Sequence, residues 1–324
     1  MTYARKGVAM RAAVVDRYGP PEVAVLRDVP QSVPRADEVL VRVAAAAVSS
    51  GDARIRAARF PRGFAPFARP AFGLRGPRRK ILGGTFSGTV QAVGAGVTAF
   101  SPGDEVCGMS GVRMGAHAEY LAVAGHRVVG KPTRVTHEDA AGLLFGGTAA
   151  LWFLRDRAAV RPGQSALVNG ASGAIGTNAV QLATYFGATV TGVTSARNAP
   201  LVTALGADRV IDYTSTDLAE VTDRFDVVLD TVGTLSRSSG RRLLTDGGVL
   251  LLAVADLWDT VRARGDVVAG SAPERPADFD FLLGLLAEGA LRVVIDDVLD
   301  LGQIAAAYRR VDSGRKVGNI LVRP

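Results

Sequence analysis

The residues whose type and spacing point most directly to chemistry are three glycines in Gly170-Ala171-Ser172-Gly173-Ala174-Ile175-Gly176. They follow a short apolar run, Ala166-Leu167-Val168, and precede Val180, Leu182, Ala183 and Phe186, which recur at helical spacing until Gly187. A glycine turn that opens a helix presents free N–H groups and the positive end of the helix dipole, a receptor for a pyrophosphate. In such a turn one glycine permits the tight bend, one lets the backbone approach the phosphates and one lets helix and strand pack closely. The spacing here is G-x-x-G-x-x-G rather than the commoner G-x-G-x-x-G. Context carries the nucleotide reading: a strand precedes the turn, a helix follows, and a second strand at residues 189–194 comes at the expected distance.

The end of that second strand indicates which nucleotide. A unit built for NAD places an Asp or Glu there to hold the ribose hydroxyls, whereas one built for NADP offers a cation. Here the chain reads Thr194-Ser195-Ala196-Arg197-Asn198, with no carboxylate. Ser195 and Asn198 can donate hydrogen bonds to a 2′-phosphate, and Arg197 can pair with it. The alternative is a solvated loop arginine. NADPH is the expected cofactor.

Other reactive types are sparse. The single Cys107 allows neither an internal disulfide nor a cysteine-based zinc site, and His117, His126 and His137 form no set with metal-ligand spacing. No bound metal is expected. Cys107 reads as a small core residue, and His117 and His126, lying among apolar neighbours, read as packed structural groups.

The elements that must position these residues fall into two kinds. At 324 residues the chain is long enough for two domains. Its first part reads as short strands at 10–15, 39–48 and 82–94, broken by Gly and Pro, with an irregular stretch from Ser49 to Lys80. A helix begins near Thr136 or His137, is interrupted at Gly146-Gly147 and continues to Asp156. From Gln164 strands and helices alternate through residues 210–213, 226–230, 247–254 and 266–268, the pattern of a doubly wound parallel sheet. A helix at 277–289, a strand near 293–295, a helix at 301–311 and a strand at 319–322 complete the chain. The formal net charge is +7, with Lys+Arg 38 against Asp+Glu 31. Basic clusters without interleaved aromatics read as solvated faces, so nucleic acid is not an expected partner, and no run reaches the length of a membrane span. A cytoplasmic protein is expected.

Pro102-Gly103-Asp104-Glu105-Val106 followed by Gly115-Ala-His-Ala-Glu119-Tyr120, then Arg161-Pro162-Gly163-Gln164, the glycine turn, Leu205-Gly206-Ala207-Asp208 and Gly314-Arg315-Lys316-Val317-Gly318-Asn319 resemble, in order, motifs of the medium-chain dehydrogenases/reductases, specifically the zinc-independent quinone oxidoreductase branch. The resemblance covers essentially the full length. It implies a GroES-like, β-rich catalytic domain at 1–130 and 270–324 and a Rossmann domain at 131–269, with the nicotinamide in the cleft between them. It also implies that Thr148 approaches the nicotinamide ring, and that Tyr213 and Arg315 or Lys316 join Ser195 and Arg197 around the adenosine phosphate. Ala253 and Asn319 complete the implied cofactor contacts, and a homodimer is the implied assembly. After Val48 the family commonly shows Asn-Pro-x-Asp, where this chain has Ser49-Ser50-Gly51-Asp52. Ser49 therefore replaces an amide, and Arg54 stands where relatives often carry an aromatic or histidine. Arg54 is either simply exposed or, alone or with Arg56 or Arg59 beside it in the same loop, an anchor for an anionic or phenolic substrate.

The expected activity is metal-free hydride transfer from NADPH to a quinone or to a carbon–carbon double bond conjugated to a carbonyl, with Ser49, Thr148 or backbone N–H groups as donors to the developing oxyanion. Reduction of a simple carbonyl is the alternative within enzymes. Outside them, a crystallin-like or RNA-binding relative is the alternative.

Overall fold

In a computed structural model of the chain, residues 8–324 are described; residues 1–7 of the expected catalytic segment lie outside them. The first sheet starts with an antiparallel ribbon of β1 (Ala9–Val15) and β2 (Ala24–Pro30), linked to its neighbours by bridges at Ala12–Ala118 and Val14–Ile81. Next, β3 (Glu38–Ala47), β4 (Thr85–Val93), β5 (Glu105–Met109), β6 (Tyr120–Ala124) and β7 (Val128–Gly130) pair antiparallel in the body of the β-rich domain. The parallel sheet follows: β8 (Ser165–Asn169), β9 (Thr189–Thr194), β10 (Arg209–Asp212), β11 (Phe225–Asp230), β12 (Leu244–Leu252) and β13 (Val267–Ala269), in the order β10-β9-β8-β11-β12-β13. The order reverses direction at β8, and ligands of such sheets bind at the carboxyl ends of the strands beside that reversal. Finally β14 (Ile295–Asp300) and β15 (Asn319–Arg323) return to the first sheet, where β15 pairs with β3. The fold is therefore α/β, a Rossmann sheet beside a GroES-like β domain.

The stretch from Ser49 to Lys80 is less irregular than the sequence suggests. It holds α1 (Ser50–Ala57) and α2 (Ala65–Phe72). Ser49 caps α1 in a reciprocal box with Asp52, and Ala58 ends it in the left-handed region at φ 51°. Helix α3 (His137–Leu151) runs unbroken through Gly146-Gly147 and passes into a wider turn over Trp152–Arg157. The glycines do not interrupt it. They let it touch α4 (Ala174–Tyr185): a Cβ on Gly146 would lie 2.1 Å from the Ala174 carbonyl oxygen.

Shorter helices α5 (Ala199–Ala204), α6 (Arg237–Arg241) and α7 (Leu257–Val261) follow the strands of the parallel sheet. Next, α8 (Pro276–Ala287) does not leave with the tail, as a boundary at 270 would have it. Phe279, Leu282, Leu283 and Leu285 are buried in the same core as Leu143, Leu144, Val180 and Leu182, because its apolar face matches that of α3. The chain returns to the β-rich domain only at β14, which begins at Ile295, the last residue of the strand expected near 293–295, and runs on to Asp300. Helix α9 (Ile304–Asp312) packs its buried Ile304, Ala307, Tyr308 and Val311 against that domain.

Candidate functional site

The turn between β8 and α4 brings its three glycines into three different steric situations. Gly170 has φ +82°, a left-handed conformation, and a side chain there would strike Thr231 and Val232 at 2.6 Å. A Cβ on Gly176 would sit 2.1 Å from the Gly170 carbonyl oxygen, so this position sets how closely α4 approaches the turn. Gly173, the N-cap of α4, is different: its φ is −81° and its Cβ would meet nothing nearer than 3.4 Å. The backbone there faces open space at a helix N-terminus, which is the shape a pyrophosphate needs.

That space opens into a cavity of about 1150 Å³ lined by Gly170, Ser172, Gly173, Ser195, Arg197, Asn198, Tyr213, Arg315 and Lys316 among others. Nine of the expected cofactor residues therefore meet around one volume. Ser172 Oγ accepts from Thr194 Oγ1 at 2.9 Å and from Asn198 Nδ2 at 3.2 Å, which ties the turn to the end of β9. Arg197 is exposed and, among the described residues, forms no ion pair. Tyr213 is 60% exposed. Lys316 Nζ donates to the Gly318 carbonyl at 2.5 Å, and burial brings its pKa down to about 8 although Asp296 opposes the shift. Asp296 itself is held by Arg310 through two hydrogen bonds, at 2.7 and 3.1 Å. Ala253 is not in the wall of this cavity; it follows β12 and its N–H donates to the Asp230 carbonyl.

Asp230 is a residue the sequence reading missed. Fully buried at the end of β11, it accepts from the N–H groups of Val232, Gly233 and Leu235 and from Asn169 Nδ2. Asn169 Nδ2 also donates to Thr234 Oγ1 at 2.7 Å. Burial pushes the Asp230 carboxyl up and those donors hold it down. The pair fixes the loop 231–235, whose Val232, Thr234 and Leu235 form one wall of the cavity. An Asp at a strand end followed three residues on by Gly233 was the available signal. Arg242, Asp217 and Glu220 also line the cavity.

A backbone path connects the turn to the other domain. Gly318 forms a parallel bridge with Gly173, and its N–H donates to the Ser172 carbonyl at 2.8 Å. The next residue, Asn319, is buried and holds the Val294 carbonyl through both its backbone and side-chain N–H. One residue further, the Ile320 carbonyl accepts from Val48 N–H at 2.8 Å, immediately before Ser49. The start of α1 thus stands about two strand spacings from the glycine turn.

Here the hydroxyls have prior engagements. Ser49 Oγ donates to Asp52 Oδ2 at 2.6 Å and accepts from Asp52 N–H, while Asp52 Oδ1 takes Gly83 N–H at 3.0 Å. Thr148 Oγ1 donates back to the Leu144 carbonyl at 2.6 Å and touches Met109 Sδ at 3.8 Å. Each hydroxyl has one proton, and each proton already has an acceptor. Arg56 and Arg59 are not free either. Arg56 is fully buried, bonded to the Gly19 carbonyl and Asp312 and stacked 5.0 Å from the Tyr308 ring; Arg59 pairs with Asp312 at 2.8 Å. Arg54 is half-buried in a smaller pocket between α1 and α9.

With this geometry the comparisons with known proteins agree along the chain. Residues 35–133 match the alcohol dehydrogenase GroES-like domain family and residues 205–322 the zinc-binding dehydrogenase family. The chain is 30% identical to the mitochondrial NAD(P)H oxidoreductase RTN4IP1 of Mus musculus, over 99% of its own length and 91% of the relative's. The protein belongs to the medium-chain dehydrogenases/reductases, in their quinone oxidoreductase-like group. It is also 30% identical to a quinone oxidoreductase of Pseudomonas aeruginosa, over 95% and 97% of the two chains. The structure of the quinone oxidoreductase from Coxiella burnetii superposes with a TM-score of 0.87 at 26% identity, covering 98% and 100%.

One family description names zinc. In this chain no three His, Cys, Asp or Glu side chains among the described residues gather where they could hold a metal ion. Cys107 is buried in the core, and burial pushes its thiol up to about 12. His117 is buried, its Nε2 3.1 Å from the Ala47 carbonyl and its Nδ1 3.4 Å from the Tyr308 hydroxyl. His126, by contrast, is exposed; it sits in a turn between β6 and β7 where its apolar neighbours in sequence face away from it. His137 opens α3, its Nδ1 2.7 Å from Ser87 Oγ and its Nε2 3.3 Å from Glu105, and burial lowers its pKa.

Proposed function

We propose that the protein is an NADPH-dependent reductase of quinones or of carbon–carbon double bonds conjugated to a carbonyl, working without a metal ion. The observation that carries this reading is the wall of the large cavity. At the end of β9 it presents Ser195, Arg197 and Asn198 with no carboxylate, and Arg315 and Lys316 face them from the β-rich domain. The residues present fit the cofactor: Gly173 leaves open the volume a pyrophosphate would take, and the cavity is of the size of known small-molecule sites. Bound there, NADPH supplies a hydride from its nicotinamide ring.

The chain's own part is placement and charge. The N–H groups at the start of α4 hold the pyrophosphate, and Arg197 with Lys316 selects the 2′-phosphate. In this reading the acceptor lies against the cofactor's reactive end beside Asn319, fixed by Val294, and the capped start of α1. An oxyanion forming on the acceptor takes donors from the cleft: backbone N–H groups as they stand, and Ser49 or Thr148 only after releasing Asp52 or Leu144. The final proton comes from water. The reading extends to a cytoplasmic homodimer on the strength of the resemblance; no helix among the described residues is long and apolar enough to cross a membrane.

The test is oxidation of NADPH and of NADH against a panel of quinones, enals, cyclic enones and simple aldehydes, with products identified. Reduction at the conjugated double bond or quinone ring, with NADPH preferred, is expected. Turnover confined to simple carbonyls, or equal kcat/KM for the two cofactors, would refute it.

A further inference from the structure

Besides the cofactor cavity there is a pocket of about 260 Å³ between α1 and α9, lined by Ser50, Ala53, Arg54, Arg59, Val311 and Asp312. We propose that this pocket is an anion subsite, and that the acceptor reduced in the adjoining cleft carries a carboxylate or phosphate group that Arg54 holds there. The proposal rests on the reductase reading for the cleft, but the subsite itself rests on the pocket's own charges.

Those charges do not balance. Two guanidiniums in the pocket's wall, of Arg54 and Arg59, with that of Arg56 buried behind them, stand against the wall's one carboxylate, Asp312. A single oxygen of Asp312, Oδ2, already takes both Arg56 and Arg59. Arg56 is further fixed by the Gly19 carbonyl and the Tyr308 ring, so it is a buried strut rather than a free cation; its Nε is buried without a hydrogen-bond partner. Arg54 is left over. It is half-buried, forms no ion pair among the described residues, and its pKa is lowered by loss of water with no counter-charge to oppose the shift. Withdrawing a guanidinium from water without an anion is unfavourable, and an oxyanion entering the pocket reverses that.

The surroundings add to the excess. Residues 53–80 contain nine arginines and lysines and no carboxylate. Of these, only Arg56, Arg59 and Lys80 are in ion pairs among the described residues. A surface of one sign beside a cleft raises the local concentration of oppositely charged ligands. Cofactor phosphate and acceptor anion would not compete, because they lie on opposite sides of the end of α9: Val311 and Asp312 wall the small pocket, whereas Arg310 and Gly314 to Lys316 wall the large one. The small pocket has room for a charged group and a short linker. Along α1, Arg54 lies one helical turn, about 6 Å, from Ser50, which lines the same pocket, so the pocket spans a reach suited to a side arm on a ring.

The experiment pairs two naphthoquinones that differ by one carboxylate, assayed with NADPH on the full chain and on its Arg54→Ala and Arg54→Lys variants, each first shown by thermal melting to be folded. The expected result is a ratio of kcat/KM, anionic over neutral acceptor, that falls about ten- to a hundredfold in Arg54→Ala through KM, with partial recovery in Arg54→Lys. Equal effects on both acceptors overturn the proposal. A second arm measures binding of 2-naphthoate and of inorganic phosphate by calorimetry. Arg54-dependent binding of 2-naphthoate that competes with the anionic quinone supports the subsite. Arg54-dependent binding of inorganic phosphate that leaves acceptor kinetics untouched assigns the pocket to a free anion and overturns the acceptor role. Should no acceptor be reduced, the reductase reading fails, and calorimetry alone still decides whether the pocket takes an anion.

Discussion

At one end of the cleft Gly170, Gly173 and Gly176 shape a binding surface from backbone; at the other, Arg54, Arg56, Arg59 and Asp312 shape one from charged side chains. The first is set by close backbone approaches, of Gly176 to the Gly170 carbonyl within the turn and of Gly318 to Gly173 from the tail. The second depends on partners such as Asp312, Tyr308 and Gly19, drawn from both ends of the chain. Backbone geometry fixes what the nucleotide end can hold, while at the acceptor end the same residue types give a structural strut in Arg56 and an uncommitted cation in Arg54. The difference lies only in which of them reaches a carboxylate.

The comparison breaks most readily at the glycines. Gly173→Asp should fold normally, since its φ is ordinary and its Cβ is unobstructed, yet lose both nucleotides by at least about a thousandfold as charge and bulk enter the pyrophosphate site. Gly176→Val should instead lower the melting temperature sharply, because its Cβ lies 2.1 Å from a carbonyl oxygen. Fluorescence titration and thermal melts distinguish the two; NADPH binding that survives Gly173→Asp would displace the turn from the site. Arg197→Ala comes next. It should reduce the preference for NADPH over NADH by about ten- to a hundredfold, one charge-assisted contact's worth, and an unaltered ratio of kcat/KM would mean that Arg197 is a solvated loop residue after all.

A pH profile sharpens the same end. With its pKa near 8, Lys316 in the free enzyme is charged below that pH and loses its charge as pH rises through it. The kcat/KM for NADPH should therefore fall above pH about 8, by at most about tenfold per unit, while that for NADH stays level. Lys316→Arg should remove the step; a profile flat to pH 10 in the unaltered protein would contradict the assignment. The smallest effect belongs to Ser49→Ala. As a cap it should cost about 0.5–2 kcal/mol of stability, and kcat should fall by about tenfold or less with a neutral acceptor, since other donors share the oxyanion. Complete inactivation in a folded variant would show that a proton relay runs through Ser49 and Asp52.

What the sequence discloses follows the same division. The β8 turn, the end of β9 and the parallel alternation were legible because their signals lie within one strand–helix unit. The ordered motifs made the family legible as well. Helices α1 and α2 were hidden by Pro, Gly and Arg, although the Ser49/Asp52 box was a readable start. Gly146 looked like a break because nothing nearby in sequence reveals that Ala174 presses against it. Helix α8 reads as part of the tail because its apolar face matches α3, a partner that nothing near it in sequence discloses. His126 has the sequence neighbours of a packed residue yet lies in an exposed turn, and the Ser49 hydroxyl serves first as the cap of α1.

The bridge between Gly173 and Gly318 has a mechanical side. It joins the two domains by backbone directly beneath the phosphate site, so opening of the cleft is expected to pivot there, with displacement growing as a lever arm toward α1 and α2. The nucleotide's phosphates would then rest near the fulcrum and feel little of the motion, and the acceptor pocket would ride at the far end of the stroke.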